Sequence, residues 1–343
     1  MTGRRFTINR KAVLSDIFRF SRSFTFSKLI NYAVLCFSYF FSVCRRKAVL
    51  KGSPCSLTIE PLSICNLACP ECPTGSAELT RPMGVIRKNQ FFSVVDQTYK
   101  KLLNLSLYFQ GEPYLHPYFF DLISYAHDHN IYTSCSTNGH FLTEQASKRT
   151  IKSGLDRLII SLDGTDENSY QKYRSGGSFE TVISGIKNMV ALKKEMRASN
   201  PLIIIQFLVL RTNEHLINNM ILLAEELQVD VLELKTARFN NFEKGNPLMP
   251  ENEQYSRYKK MPGGKYEIKK SLKNSCFRMW SSSVVTWDGI VVPCCFDKDA
   301  AHRLGDESQN TFKEIWASEE YDVFRNKILK ERKNIGICRN CTT

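Results

Sequence analysis

Residues 57–72 read LTIEPLSICNLACPEC, a short apolar strand candidate running straight into a loop that carries Cys65, Cys69 and Cys72 as Cys-x3-Cys-x2-Cys. Three thiolates on one tight loop can hold three irons of a four-iron cluster and leave the fourth open, because thiolates are the usual ligands of iron-sulfur sites. An open iron is a place for chemistry. Structural zinc asks for four nitrogen or sulfur ligands, usually as two pairs, and this loop offers three. The N-terminus does not read as a cleavable secretory signal, so the twelve cysteines read as metal ligands and reduced thiols rather than disulfides.

Outward from this loop the chain alternates short, often β-branched apolar runs with longer amphipathic segments, the pattern of a parallel sheet covered by helices. The spacing predicts strands at 57–60, 104–109, 131–136, 157–162, 202–210 and 229–235, with helices at 88–102, 117–129, 143–153, 179–197 and 213–227. Thr143 ahead of Glu144 and Asn213 ahead of Glu214 read as helix caps, and SGGS at 175–178 as a turn before the next helix. In parallel β/α architectures the loops leaving the strand ends carry the site. Gln110-Gly111-Glu112-Pro113, Ser136-Thr137-Asn138-Gly139 and Ser161-Leu162-Asp163-Gly164 all fall there. Each alone is a common turn sequence; in order, at strand ends, they support one another.

Cys276, Cys294, Cys338 and Cys341 form a second set in the tail, and VVTWDGIVVPC at 284–294 reads as a hairpin with Asp288-Gly289 at its turn. Four cysteines closing in Cys-x2-Cys suit tetrahedral zinc as well as an iron-sulfur cluster. Cys295 adjoins Cys294 and could replace it as a ligand, whereas Cys36, Cys44, Cys55 and Cys135 read as ordinary buried thiols.

The triple-cysteine loop and the strand-end motifs resemble the radical SAM superfamily. The Gly289-x4-Cys294 spacing and TFKEIW at 311–316 resemble its SPASM appendix, in the shortened twitch form. The resemblance implies an α/β fold: a partial (β/α)6 barrel followed by a small cysteine-rich domain. It implies that Cys65, Cys69 and Cys72 hold a [4Fe-4S] cluster that binds S-adenosylmethionine (SAM). The backbone of Gln110, Gly111, Glu112 and Pro113 would grip the SAM amino group, with Thr137, Asn138, Ser161 and Asp163 as further polar contacts. Arg174, behind Tyr173, would pair with the SAM carboxylate, a task that suits the planar guanidinium fork. Cys276, Cys294, Cys338 and Cys341 would bind a second, auxiliary [4Fe-4S] cluster. The sequence departs from the family pattern at Glu71, where an aromatic residue is common, and at Gln110, where glycine is usual.

The family's chemistry starts with an electron from a flavodoxin- or ferredoxin-type donor, which cleaves SAM to methionine and a 5'-deoxyadenosyl radical. That radical abstracts hydrogen from substrate. With an auxiliary cluster as electron acceptor and a base for the proton, the expected outcome is two-electron dehydrogenation of a sugar- or cyclitol-like small molecule, free or glycan-linked. The alternatives are a peptide or protein maturase and a redox-neutral sugar epimerase. No catalytic residue is assigned; Arg211, Glu233 and Lys235 lie at or just after predicted strands, as substrate contacts or as solvated charges.

The net charge of +13 resides mostly in residues 1–51, which carry +10 with Asp16 as their one acid. The body therefore lacks the dense basic stripe of a nucleic-acid binder, and no nucleic-acid partner is expected. Residues 29–44, LINYAVLCFSYFFSVC, are free of charge and flanked by Lys28 and by Arg45, Arg46 and Lys47. The run is short for a span, and reads as a helix docking its apolar face on the body, as one lying in a membrane interface or, least favoured, as a span. The expected organisation is a basic arm at 1–51, the barrel at 52–240, a linker at 241–275 and the auxiliary-cluster domain at 276–343, in a cytoplasmic protein with peripheral membrane contact through the arm.

Overall fold

The computed structural model describes residues 4–342, so residues 1–3 of the expected arm and Thr343 lie outside the described residues. From the N-terminus run β1 (Arg4–Thr7), α1 (Arg10–Arg22), α2 (Phe26–Arg45), β2 (Ser56–Ile59), α3 (Lys88–Thr98), β3 (Asn104–Ser106), α4 (Phe119–Asp128) and β4 (Tyr132–Thr137). Then follow α5 (Glu144–Lys152), β5 (Arg157–Ser161), α6 (Glu167–Gln171), α7 (Phe179–Glu195), β6 (Leu202–Val209), α8 (Ile217–Glu226) and β7 (Val231–Thr236). The remainder comprises β8 (Tyr258–Lys260), β9 (Tyr266–Ile268), α9 (Arg278–Ser281), β10 (Ser282–Val285), β11 (Ile290–Val292), β12 (Gly305–Asp306), α10 (Phe312–Trp316) and α11 (Glu319–Glu331).

The six expected strands are β2 to β7, paired in parallel and in chain order as the expected partial barrel requires. Among the described residues the sheet extends to ten strands in the order β1-β7-β6-β5-β4-β3-β2-β10-β11-β12. β1 closes one edge antiparallel to β7, and β10 lies parallel to β2, so the tail hairpin continues the barrel sheet. The expected hairpin is β10 and β11, turning at Gly289 with φ of +88°.

Strand alternation divides the barrel into two environments. Leu57, Ile59, Leu105, Cys135, Leu158, Ile160, Ile205 and Leu232 face the helices and join the main core. Their neighbours Thr58, Ser106, Ser134, Ser136, Gln206, Glu233 and Lys235 point the other way and are only half-buried. The lumen is therefore polar. Asn104 Nδ2 donates to Ser56 Oγ at 3.0 Å within it, and the hydroxyls of Ser106 and Ser134 meet at 3.2 Å.

The N-terminal arm closes the floor of this barrel, at the strands' N-terminal ends. Asp16 is fully buried there and accepts from Arg157 Nη2 at 2.6 Å, Arg19 Nη2 at 3.2 Å and the Tyr132 hydroxyl. Ala12 and Val13 pack against Leu202, Ile204 and Val231. Beside it, α2 docks through its polar side: Lys28, Asn31, Leu35, Ser38 and Ser42 are buried. The expected docking face was the apolar one, and it is left open. The reason is what lies beneath the helix: the backbone carbonyls of Asn130, Ser53 and Val49 accept from Lys28 Nζ, Asn31 Nδ2 and Ser38 Oγ at 2.6, 2.8 and 2.6 Å.

Other expectations shift locally. Thr143 caps α5 by accepting from Ala146 N. Asn213 does not cap; its side chain straps the end of β6, accepting from Leu210 N and donating to Asp163 O and Leu208 O. Segment 241–275 carries its own hairpin, β8 and β9, and Tyr258 joins a satellite core with Tyr173, Phe239, Phe242 and Met249. Cys55 and Cys135 are buried thiols, but Cys44, at the end of α2, is exposed.

Candidate functional site

The loop behind β2 is held by backbone bonds: Cys72 N to Cys69 O at 3.2 Å, Ser76 N to Cys72 O at 2.8 Å and Ala68 N to Ser175 O at 2.9 Å. Gly75 sits so close that a Cβ there would meet Cys69 N at 2.5 Å. Gly111, with φ of +72°, packs its α-carbon on the same loop, where a Cβ would meet Leu62 O at 2.6 Å and Ile64 O at 2.7 Å. Only glycine fits that approach and that conformation. Glu112 N then donates to Ile64 O at 2.8 Å, binding the second strand-end motif to the first.

Each expected site residue lies at this end of the barrel. Gln110 Oε1 accepts from Thr74 Oγ1 at 3.1 Å and lies 3.9 Å from Cys72 Sγ. The Glu112 carboxylate accepts from Thr137 Oγ1, Asn138 N and Tyr114 N at 2.7, 2.7 and 3.1 Å, so it joins two strand-end loops, with Pro113 opening a short turn behind it. Asn138 Nδ2 donates to Asn66 Oδ1 at 2.8 Å and reaches Cys65 Sγ at 3.9 Å. Asp163 accepts from Leu208 N and from Arg174 Nε, and Arg174 Nη1 approaches Cys69 Sγ to 3.8 Å. Ser161, buried at the end of β5, precedes them. Asn66, Thr74, His140 and Ser175 belong to the same network and were not singled out from sequence. His140, two residues past Asn138 in the TNGH segment, bridges Asn138 Oδ1 at 3.0 Å and Ser178 N at 2.9 Å.

The thiols of the loop are held protonated by burial, as are the buried thiols Cys55 and Cys135 elsewhere in the fold. Burial pushes Cys65 up and Cys69 up to about 11, the latter opposed by the Arg174 guanidinium. Metal binding displaces the proton of such a thiol, and the N–H donors turned toward Cys65 and Cys69 are of the kind that a thiolate ligand accepts.

In the tail, Cys276, Cys294, Cys338 and Cys341 come to one region around Arg332, whose guanidinium donates to Cys341 Sγ at 3.3 Å. Burial pushes all of Cys276, Cys294 and Cys338 up, Cys338 to about 11, with Arg332 pulling Cys276 and Cys338 back. Cys294 interacts with Cys276 and Cys338, while Cys295 is exposed and accepts from Arg278 Nη1 at 3.3 Å. Among the described residues no three His, Cys, Asp or Glu side chains converge as they would on a single ion. A four-iron cluster needs no such convergence, since each sulfur binds its own iron.

Between the two cysteine sets stand lumen and loop residues. Tyr108 feels both Cys295 and Glu233, and Lys298 both Cys72 and Cys295; burial holds the Lys298 ammonium below the ordinary lysine range. Arg238 stacks on Phe296 at 4.6 Å, and Glu71 accepts from Asn246 Nδ2 at 2.8 Å, so the segment after β7 reaches over the first loop. Of the three charged residues flagged from sequence, Glu233 and Lys235 face the lumen 2.8 Å apart. Arg211 lies outside it, 3.7 Å from Glu251.

Residues 59–215 match the family model of the radical SAM superfamily, and residues 276–342 match that of the SPASM iron-sulfur cluster-binding domain. The chain belongs to the radical SAM superfamily. Its radical SAM core takes SAM and a [4Fe-4S] cluster, and its SPASM domain is of the kind that binds auxiliary iron-sulfur clusters. It is 30% identical over 139 residues to the mycofactocin maturase MftC of Mycobacterium tuberculosis. That match spans 40% of this chain and 35% of MftC, so the chain matches about a third of that relative's length. In fold it is similar to BtrN in complex with AdoMet and 2-DOIA, with a TM-score of 0.53 and 17% identity over 86% of this chain and 95% of BtrN. It is similar also to Streptococcus suis SuiB bound to precursor peptide SuiA, with a TM-score of 0.62 and 14% identity over 88% and 74% of the two chains.

Proposed function

We propose that this radical SAM protein dehydrogenates a polyhydroxylated small molecule of the sugar or cyclitol kind, free or glycan-linked. Cys65, Cys69 and Cys72 hold the SAM-binding cluster in this reading, and Cys276, Cys294, Cys338 and Cys341 the auxiliary one. When bound, the two clusters and SAM supply a hydrogen-abstracting carbon radical and a one-electron acceptor. The chain's own residues do the rest.

What supports the reading is the polar lining of the barrel lumen. Its hydroxyls and the Gln206 amide offer paired donors and acceptors to a ring of hydroxyl groups, and Tyr108 stands toward Cys295. Glu233 and Lys235, 2.8 Å apart, are the charged lumen groups that can orient a substrate hydroxyl and receive its proton as the carbinol becomes a carbonyl. Asp163 keeps Arg174 turned toward the first loop, where its guanidinium can meet a carboxylate. BtrN, whose complex contains 2-DOIA, shares the fold across 95% of its length.

A peptide substrate is the competing reading, favoured by the match to a maturase. Anaerobically reconstituted, reduced protein incubated with SAM separates the two. Polyols, sugars and nucleotide sugars should raise 5'-deoxyadenosine formation, and one of them should yield a product two mass units lighter. Stimulation by cysteine- or glycine-rich peptides alone would overturn the small-molecule reading.

A further inference from the structure

The floor of the barrel carries an inverted pair of helices. On α2, Lys28, Asn31, Ser38 and Ser42 face the protein beside Leu35 and Tyr39, and Phe37, Phe40 and Phe41 face out, 66%, 61% and 50% exposed. On α1, Leu14, Ile17 and Phe18 are likewise more than half exposed. A soluble helix normally does the reverse. Both helices cover the N-terminal ends of the strands, α1 through Ala12, Val13 and Asp16 and α2 through Asn31, Leu35 and Ser38. Their outward faces therefore lie on one side of the molecule, as an apolar surface larger than scattered exposed residues would make.

The exposed charge carried by the two helices and their ends has one sign, with Asp128 of α4 exposed beside their junction. Arg10, Lys11, Arg22, Arg45, Arg46 and Lys47 are exposed at the ends of the two helices. The only acid in residues 1–51, Asp16, is buried against Arg157. Arg22 and Arg45 lie over the rings of Phe18 and Phe41 at 4.5 and 5.9 Å, which keeps cation and aromatic at the same level. Exposed aromatics flanked along both helices by Lys and Arg complement acyl chains beneath anionic headgroups.

We infer that α1 and α2 form a monotopic docking face for an anionic membrane surface. The helices lie in the interface with their apolar sides among the acyl chains and their polar sides still bound to the barrel. α2 is long and apolar enough to cross a bilayer by length and composition, with 28% of its apolar window buried. Crossing would strip Lys28, Asn31, Ser38 and Ser42 from their carbonyl partners, whereas lying flat keeps each of those bonds. The SAM site opens at the other end of strands about 20 Å long, so the bound protein keeps its mouth in water. Substrate then arrives from the aqueous side.

The test is co-sedimentation of the full-length, cluster-loaded protein with sucrose-loaded vesicles of phosphatidylcholine, with and without 30–40% (roughly, in the range where polybasic attraction is strong) phosphatidylglycerol. Sedimentation velocity without lipid runs alongside. The protein should pellet with the anionic vesicles, and high salt should weaken the binding. The triple substitution Phe37→Ser, Phe40→Ser and Phe41→Ser should cut partitioning at least roughly tenfold, while iron content and thermal melting stay unchanged because those side chains make few contacts with the body. Three results would overturn the inference. They are no pelleting with anionic vesicles, equal pelleting of the triple variant, and a lipid-free dimer that the triple variant turns into a monomer, which would make this face a contact between copies.

Discussion

Glu112 is 1% exposed, and its two carboxylate oxygens meet three donors, yet burial still wins and pushes its pKa up to about 6. A carboxyl whose native pKa lies above its unfolded value gives stability that is present at low pH and lost as pH rises through the native value. Between about 4.5 and 6 the unfolded chain releases this proton first, so folding stability falls by about 2 kcal/mol across that window. Urea unfolding of the metal-free chain at pH 4 and pH 7, beside Glu112→Gln, checks this: the difference between the two proteins should change by that amount, and a pH-independent difference would contradict it. A second residue-level expectation concerns the adjacent thiols. Cys294 lies among Cys276 and Cys338, whereas Cys295 is exposed beside Arg278. Cys294→Ala should therefore lower the iron content of the tail, and Cys295→Ala should leave it intact, as measured by iron and sulfide analysis after anaerobic reconstitution.

At the scale of elements, one buried ion pair joins the two halves of the site. Arg81 makes a fork to Glu60 at the end of β2, with contacts of 2.5 and 2.8 Å, and its Nε donates to Lys298 O. Glu60 also accepts from Trp287 N in the β10–β11 turn. Arg81→Met leaves a fully buried carboxylate without its cation, so it should destabilise the fold by about 3–5 kcal/mol. Combining it with Glu60→Leu should restore much of that loss; chemical denaturation of the single and double variants reads both. The ties from Arg81 to Lys298 and from Glu60 to Trp287 were not legible in the sequence, because they link residues more than two hundred positions apart. What was legible is periodic or local. Strands β4 to β7 announced themselves by apolar runs, and Gly111 by a motif whose close approach the structure shows. β3 ends at Ser106, earlier than expected, since the chain leaves the ladder to bring Tyr108 and Gln110 to the site. β1 is four residues with two arginines, and its strand character comes only from pairing with β7. The β8–β9 hairpin had a signal, Gly263-Gly264, between two short runs. In α2, Asn31, Ser38 and Ser42, polar residues inside the uncharged run, belong to the docking face itself.

At the scale of the molecule, one continuous sheet carries both cysteine sets, with the first loop leaving β2 and the second set reached through β10, its parallel neighbour. The arm covers the N-terminal ends of the strands, the first loop leaves β2 at the opposite end, and Cys276 and Cys294 flank the N-terminal end of β10, so the two sets lie toward opposite ends of the sheet. This arrangement divides the labour in a way that variants can separate. Cys65→Ala, Cys69→Ala and Cys72→Ala together should lower the iron content from about eight to about four per chain and abolish 5'-deoxyadenosine formation. The four tail substitutions, Cys276→Ala, Cys294→Ala, Cys338→Ala and Cys341→Ala, should also remove about four irons but leave SAM cleavage in place, because the first loop, Gly111 and Arg174 are untouched. What that second variant should lose is the oxidised product. With the internal electron acceptor gone, the substrate radical would take an electron from the external reductant and a proton from water and revert to substrate, so 5'-deoxyadenosine accumulates without a product two mass units lighter. If the tail variant instead kept full formation of the product two mass units lighter, the second set would be structural and the electron from the substrate radical would have to leave to an acceptor other than the tail cluster.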